Sequence, residues 1–207
     1  MAIGTYPELV TAINDWLLRN GDDIFAARVP NLIALNEATL DKTLRSPEME
    51  EEVDLVTAAG VATVDLPSDY IETRSLTIPG VIGALDQYSP EALDEAFAEA
   101  PQGTPKVYSV WRRKIRLGPT PAAVQTLRLR YFQKVPRLST DAPTNDVLTA
   151  HPDIYLYGSL LQAAPTLKDQ GAVELWKSAY EQAIGLANEV AQRSLIASAK
   201  IRRRYGS

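Results

Sequence analysis

Apolar positions along the chain change period twice, from helical to alternating and back to helical. Leu9, Ile13, Trp16 and Leu17 recur at spacings of four, three and one, which is one face of a helix. Thr5-Tyr6-Pro7-Glu8 before them fits a capping box with Pro tolerated in the first turn, and Asn20-Gly21 supplies a stop. A second helical stretch follows Asp22-Asp23 and is interrupted at Pro30. Beyond it Ile33, Leu40 and Leu44 share a stripe to about Arg45, which leaves Glu37 and Asp41 on the wet side.

From Val53 the period falls to two. Val53–Val56 and Val61–Leu66, joined through Ala59-Gly60, predict a hairpin, and Ile71–Ile78 a third strand. Ser89-Pro90-Glu91 opens a short acidic helix to about Ala98, with Ser as the N-cap. Lys106–Trp111, Lys114–Leu117 and Val124–Lys134 supply further strands. In the last, Leu127, Leu129 and Tyr131 alternate with Arg128, Arg130 and Phe132, giving one apolar face and one largely basic face.

Helical spacing then returns. Thr144–Ala150 predicts a short turn or helix, and His151-Pro152-Asp153 starts another that carries Ile154, Tyr157, Leu160, Leu161 and Ala164 before Pro165 disturbs it. From about Gly171 to Arg204, Val173, Trp176, Tyr180, Ala183, Ala187, Val190, Ser194, Ala197 and Ile201 recur at threes and fours. Such a helix is roughly 50 Å long at 1.5 Å per residue, more than a small domain needs. The fold class expected is α+β, an antiparallel helical bundle formed by the N- and C-terminal helices with a β-rich insertion in the middle. The whole of 1–207 is then a single structural unit: 1–46 and 144–205 form the bundle, and 47–143 the β-rich lobe with its short helix near 89–98.

Composition narrows the class. With 45% hydrophobic and 23% charged residues the 207-residue chain is an ordinary globular protein, so disorder is not the default. There is no cysteine, which excludes a disulfide framework and thiolate metal sites. No secretory signal is visible at the N-terminus, and the uncharged stretch 154–167 falls short of a membrane span, so a soluble protein made in the cytoplasm is expected. The net charge of −5 conceals an asymmetry: 1–105 holds 19 acidic and 5 basic residues, 106–207 holds 7 and 16. That separation permits a head-to-tail contact between copies; alternatively the halves fold together and their charges intermix.

Catalytic chemistry is hard to assemble. The single histidine, His151, precedes Pro152 at a helix start, where a structural role is the ordinary one. Gly158-Ser159-Leu160 lacks the nucleophile-elbow pattern, and neither phosphate-binding glycine motif occurs. The acidic run Glu48-Met49-Glu50-Glu51-Glu52 lacks the Asx-rich loop of a calcium site and reads as a solvated link between helix and strand. No catalytic, metal or cofactor site is predicted. The basic residues are the candidate sites. Between Lys106 and Thr140 there are nine basic residues and no acidic one, with Trp111, Tyr131 and Phe132 among them. Arg112, Arg113, Lys114, Arg116, Arg128 and Arg130 are candidates either for a contact with an acidic surface of a neighbouring subunit or for holding DNA without reading its sequence. Lys200, Arg202, Arg203, Arg204 and Tyr205 form a basic C-terminal tail. It either offsets the dipole of the last helix or docks to a partner.

Several segments resemble a known family. Tyr6-Pro7-Glu8-Leu9 with Ile13 and Trp16-Leu17, the Pro30-containing helix, and Leu66-Pro67-Ser68-Asp69-Tyr70 before a strand are similar to the head-to-tail adaptor proteins of tailed bacteriophages, related to the tail tubular protein A group. The similarity continues through Tyr131–Leu138, Ala142–Leu148 and Pro152–Leu160 to the long final helix, and so covers nearly the whole chain in order. The resemblance implies a non-enzymatic virion protein at the head–tail junction. Its partners would be other copies of the chain in a ring, commonly of twelve, the portal protein above and a further tail protein below. Genome DNA would pass through the channel without sequence-specific binding. The other reading, from the residues alone, is a nucleic-acid-binding protein with a basic β lobe.

Overall fold

A computed structural model describes residues 3–99, 101–166 and 170–205, with side chains left undescribed at 166 and from 194 onward. Helix α1 (Tyr6–Trp16) begins where the capping box places it: Oε2 of Glu8 accepts the N–H groups of Gly4 at 2.9 Å and Thr5 at 3.0 Å. The Gly4 bond, then that of Thr5, holds the Glu8 carboxyl below its usual range. A single turn, α2 (Asp23–Ala26), is capped by Asp22, and α3 (Val29–Thr43) carries Pro30 in its first turn rather than being broken by it. Pro lacks only an N–H that has no helical acceptor there.

Among the described residues nine strands follow: β1 (Glu50–Val56), β2 (Thr63–Asp65), β3 (Tyr70–Thr77), β4 (Asp86–Gln87), β5 (Gln102–Gly103), β6 (Val107–Trp111), β7 (Lys114–Gly118), β8 (Thr120–Pro121) and β9 (Thr126–Gln133). Between β4 and β5 lies α4 (Pro90–Ala96), whose N-cap Ser89 accepts the N–H of Ala92 at 3.2 Å. The last helices are α5 (Asp146–Ala150), α6 (Pro152–Ala163) and α7 (Gln170–Tyr205).

Residues 50–134 form one compact unit. Its first sheet has the order β1-β9-β3 and its second β2-β7-β6-β4; β5 and β8 make a short parallel pair. Leu76, Leu127, Leu129 and Tyr131 of the first sheet meet Tyr108, Ile115 and Leu117 of the second in one core. The expected hairpin of Val53–Val56 with Val61–Leu66 does not form. β1 pairs antiparallel with β9 and β2 with β7, so the two segments belong to different sheets. Alternation marks a strand but not its partner, which is settled by the faces it can bury and the charges it can match. The acidic run is likewise no link: Glu50, Glu51 and Glu52 are the first residues of β1 itself.

Residues 1–49 and 135–207 form the other compact unit. α6 lies at its centre, with α1, α3 and α7 all packed on it, and is accordingly buried nearly all round. Trp16, half exposed, meets Tyr157 edge-on at 5.9 Å. On α7 the predicted stripe drifts: Ala187 and Ala191 are buried, whereas Val190 faces out. Ser194, Ala197 and Ile201 lie outside the described side chains. Asn188 of α7 closes the C-terminus of α3, accepting the Arg45 N–H at 2.6 Å and donating to the Thr43 carbonyl at 3.0 Å.

Candidate interaction surfaces

The candidate basic residues of the β unit separate into two groups by strand parity. Leu127, Leu129 and Tyr131 point into the core, so Arg128 and Arg130 stand on the outer face of the first sheet. Ile115 and Leu117 point inward, so Lys114 and Arg116 stand on the outer face of the second. The sheets face one another across the core, and the two groups therefore lie on opposite outer faces of the unit. Arg112 and Arg113 form the β6–β7 turn, Arg112 with a positive φ of 55°.

Four of these six cations have an acidic neighbour within the chain. Arg128 pairs with Asp54 at 3.0 Å and Glu52 at 3.3 Å, and Arg130 with Glu52 at 2.6 Å, across the β1–β9 register. Arg128 lowers the Asp54 carboxyl below its usual range by a direct hydrogen bond. Lys114 meets Asp65 at 2.6 Å, and Arg116 meets Asp94 of α4. Arg113 donates to the Pro67 carbonyl at 2.9 Å. Arg112 makes no ion pair among the described residues. The acidic and basic halves of the sequence thus intermix. Lys114 and Arg116 on one outer face, and Arg128 and Arg130 on the other, therefore stand among acidic partners rather than in one positive groove. Pairs this exposed add little stability but cancel much of the local field.

Sequence reasoning missed a polar cluster in the helical unit. Glu37, expected on the wet side of α3, is 1% exposed. Its Oε1 accepts the Leu138 N–H at 2.9 Å and the Tyr155 hydroxyl at 3.3 Å, with Arg137 at 3.8 Å from the other oxygen. One turn on, Asp41 accepts the Val135 N–H at 2.9 Å and pairs with Arg137. Two carboxylates four residues apart therefore clasp the segment 135–138. Burial raises the Glu37 carboxyl above its usual range despite the Leu138 bond and Arg137, and burial also raises the Tyr155 phenol. Asn145 caps α5 by accepting the Leu148 N–H at 2.7 Å, and donates to the Pro136 carbonyl and the Tyr155 hydroxyl, both at 2.7 Å. The one available signal was the Glu37/Asp41 spacing, which puts both on one side of a helix.

His151 lies 3.4 Å from Glu48, half-buried between α5 and α6. Among the described residues no group of three or more His, Cys, Asp or Glu could hold a metal ion, and no helix is long and apolar enough to cross a membrane. Of the C-terminal candidates, Lys200, Arg202, Arg203, Arg204 and Tyr205 fall on the last turns of α7, where their side chains lie outside the described residues.

A search of curated proteins finds no match to the chain. The model of the SU10 adaptor protein family matches residues 4–204, which takes in both units and every element from α1 to the end of α7 but its last residue. That is a family of phage structural adaptors and not of enzymes. Matched over almost its full length, the chain belongs to the SU10 adaptor protein family.

Proposed function

We propose that the chain is the head-to-tail adaptor of a tailed bacteriophage, assembled as a ring of twelve copies beneath the portal. The ring joins capsid to tail, encloses the path of the DNA and presents its lower side to a further tail protein. The family match over residues 4–204 carries this reading. The helices of 1–46 and 144–205 act as one antiparallel bundle, with 47–143 as its β-rich lobe, in a single structural unit. A helix of 36 residues, roughly 54 Å at 1.5 Å per residue, is long enough to bridge neighbouring proteins.

In this reading the basic residues of the β lobe, Arg112, Arg113, Lys114, Arg116, Arg128 and Arg130, serve contacts between subunits. The tail Lys200, Arg202, Arg203, Arg204 and Tyr205 docks to the portal. DNA slides through without fixed binding. The in-chain ion pairs of Lys114, Arg116, Arg128 and Arg130 speak against the nucleic-acid-binding alternative, since paired cations release fewer counterions from DNA. Native mass measurement of the chain alone and with its portal tests the proposal. A complex with one ring of adaptor per portal is expected; a chain that stays monomeric and never joins the portal would overturn it.

A further inference from the structure

Helix α1 closes just before the Asn20-Gly21 stop signal. The Arg19 N–H reaches the Asn14 carbonyl at 2.9 Å and the Leu18 N–H that of Asp15 at 3.1 Å, with Leu18 at a φ of 52°. Such a pair of bonds around a left-handed residue is the Schellman closure of a helix. Asn20 and Gly21 therefore stand beyond the helix, in an exposed turn before α2. The Asp22 N–H bonds the Arg19 carbonyl at 3.1 Å across that turn, whereas the Gly21 N–H bonds none of the described residues. Gly21 has a φ of 82°, and nothing lies within 4 Å of the place a Cβ would take. The Asn20 amide donates to Asp15 at 2.7 Å, but on the exposed surface, where water competes for the bond.

Of the six asparagines only Asn20 precedes a glycine. The other five are restrained. Asn14, Asn31, Asn36 and Asn188 lie within α1, α3 and α7, where the helical hydrogen-bond ladder fixes the peptide that follows. Asn145 is tied at both ends of its side chain, accepting from Leu148 and donating to Pro136 and Tyr155. At Asn20 an exposed amide, an unbonded N–H and a next residue without a Cβ coincide.

We propose that Asn20 is a site of spontaneous deamidation. The Gly21 nitrogen gives up its proton and attacks Cγ of Asn20. The N–Cγ bond forms, the Cγ–Nδ2 bond breaks, and the amide nitrogen leaves as ammonia with the proton that Gly21 lost. Lacking a Cβ, Gly21 lets the peptide between the two residues rotate for this attack. Water then opens the succinimide ring: cleavage at Cγ gives aspartate, and cleavage at the main-chain carbonyl gives isoaspartate. Either product adds a carboxylate to a turn that already holds Asp15, Asp22 and Asp23, with Arg19 the one base from 15 to 27. Arg19 is itself engaged, 3.6 Å from Asp22 and over the Phe25 ring at 6.0 Å. Isoaspartate also lengthens the main chain just ahead of Asp22, the cap of α2.

The test uses the full chain and is independent of the ring reading. Wild-type protein is held folded in mildly alkaline buffer, which favours loss of the Gly21 proton, beside a sample unfolded in guanidinium chloride. Both are sampled over time, digested briefly with chymotrypsin and weighed by mass spectrometry. Cleavage after Leu18 and Phe25 releases the peptide 19–25, which should exchange NH2 for OH in the folded sample while the other five asparagines stay intact. The undigested aged protein should also accept methyl groups from protein isoaspartate methyltransferase. Asn20→Gln protein, whose longer side chain closes a ring far less readily, should take up no label and keep the wild-type melting temperature. Folded protein that keeps Asn20 over the time in which the unfolded chain loses it would overturn the proposal. So would conversion of another asparagine first.

Discussion

Gly158 of α6 and Asn36 of α3 approach so closely that a Cβ on the glycine would collide with the asparagine amide. Asn36 is fully buried and cannot readily move aside. It donates to the carbonyls of Ile154 and Tyr155, both at 3.4 Å, and accepts the Tyr180 hydroxyl at 3.3 Å. One small residue therefore lets three helices of the unit share a polar contact.

Gly158→Ala should destabilise the chain by about 1–3 kcal/mol, the usual effect of forcing a methyl into a packed core. Gly185→Ala is the control: nothing lies within 4 Å of its added Cβ, and it sits inside α7. It should be neutral or stabilising by up to about 1 kcal/mol. Urea unfolding of both variants checks the pair, and equal effects would show that the Asn36 contact is not the reason.

Glu37 should make stability depend on pH. Its folded-state carboxyl is raised, chiefly by burial, so the folded chain holds this proton to a higher pH than the unfolded chain does. The associated stability is complete below the ordinary Glu range and is lost as pH rises through the raised folded value. Glu37→Gln keeps an acceptor for Leu138 and Tyr155 but cannot ionise, so it should flatten that part of the profile. Glu37→Ala should instead lose about 1–3 kcal/mol for each buried donor left unpaired. Melting temperature against pH for wild type and both variants reads the difference.

Reversing Arg128 and Arg130 to Glu sets like charges directly opposite Asp54 and Glu52 in the β1–β9 ladder. The double reversal should lower the melting temperature, though less than Gly158→Ala, because these side chains are exposed and screened. Adding Glu52→Arg and Asp54→Arg should restore the melting temperature. If ring formation is regained along with it, the arginines act only within the chain; if the melting temperature recovers without rings, they also serve a neighbouring subunit.

Deleting residues 200–207 should leave a folded, soluble protein that joins the portal poorly. Arginine and tyrosine carry much of the energy in interfaces, and a short terminus contributes little to a core. Were the arginines merely offsetting the dipole of α7, the deletion would remove only about 0.3–1 kcal/mol. Portal pull-down beside a melting curve separates the two, and unimpaired binding would exclude docking through this tail.

Element identity was legible from local rules. The Glu8 bonds that begin α1, the Ser89 cap of α4, the alternation of β9 and the threes and fours of α7 each depend on residues within a turn or two of one another, so sequence alone determined them. The basic residues were legible as types for the same reason, and so was the resemblance to phage adaptors, carried by runs such as Tyr131–Leu138 and Pro152–Leu160. Everything that needed a distant partner was decided by tertiary structure. Spacing placed Glu37 off the apolar stripe, yet α6 and the segment 135–138 close over it and supply an N–H, a hydroxyl and a guanidinium that make burial tolerable. The acidic run looked like a solvated link because its bases lie far along the chain, on β9 and β3. A side chain's neighbours along the sequence set its backbone conformation. Its charge balance, burial and pairing depend on what the fold brings against it, and no local pattern encodes that.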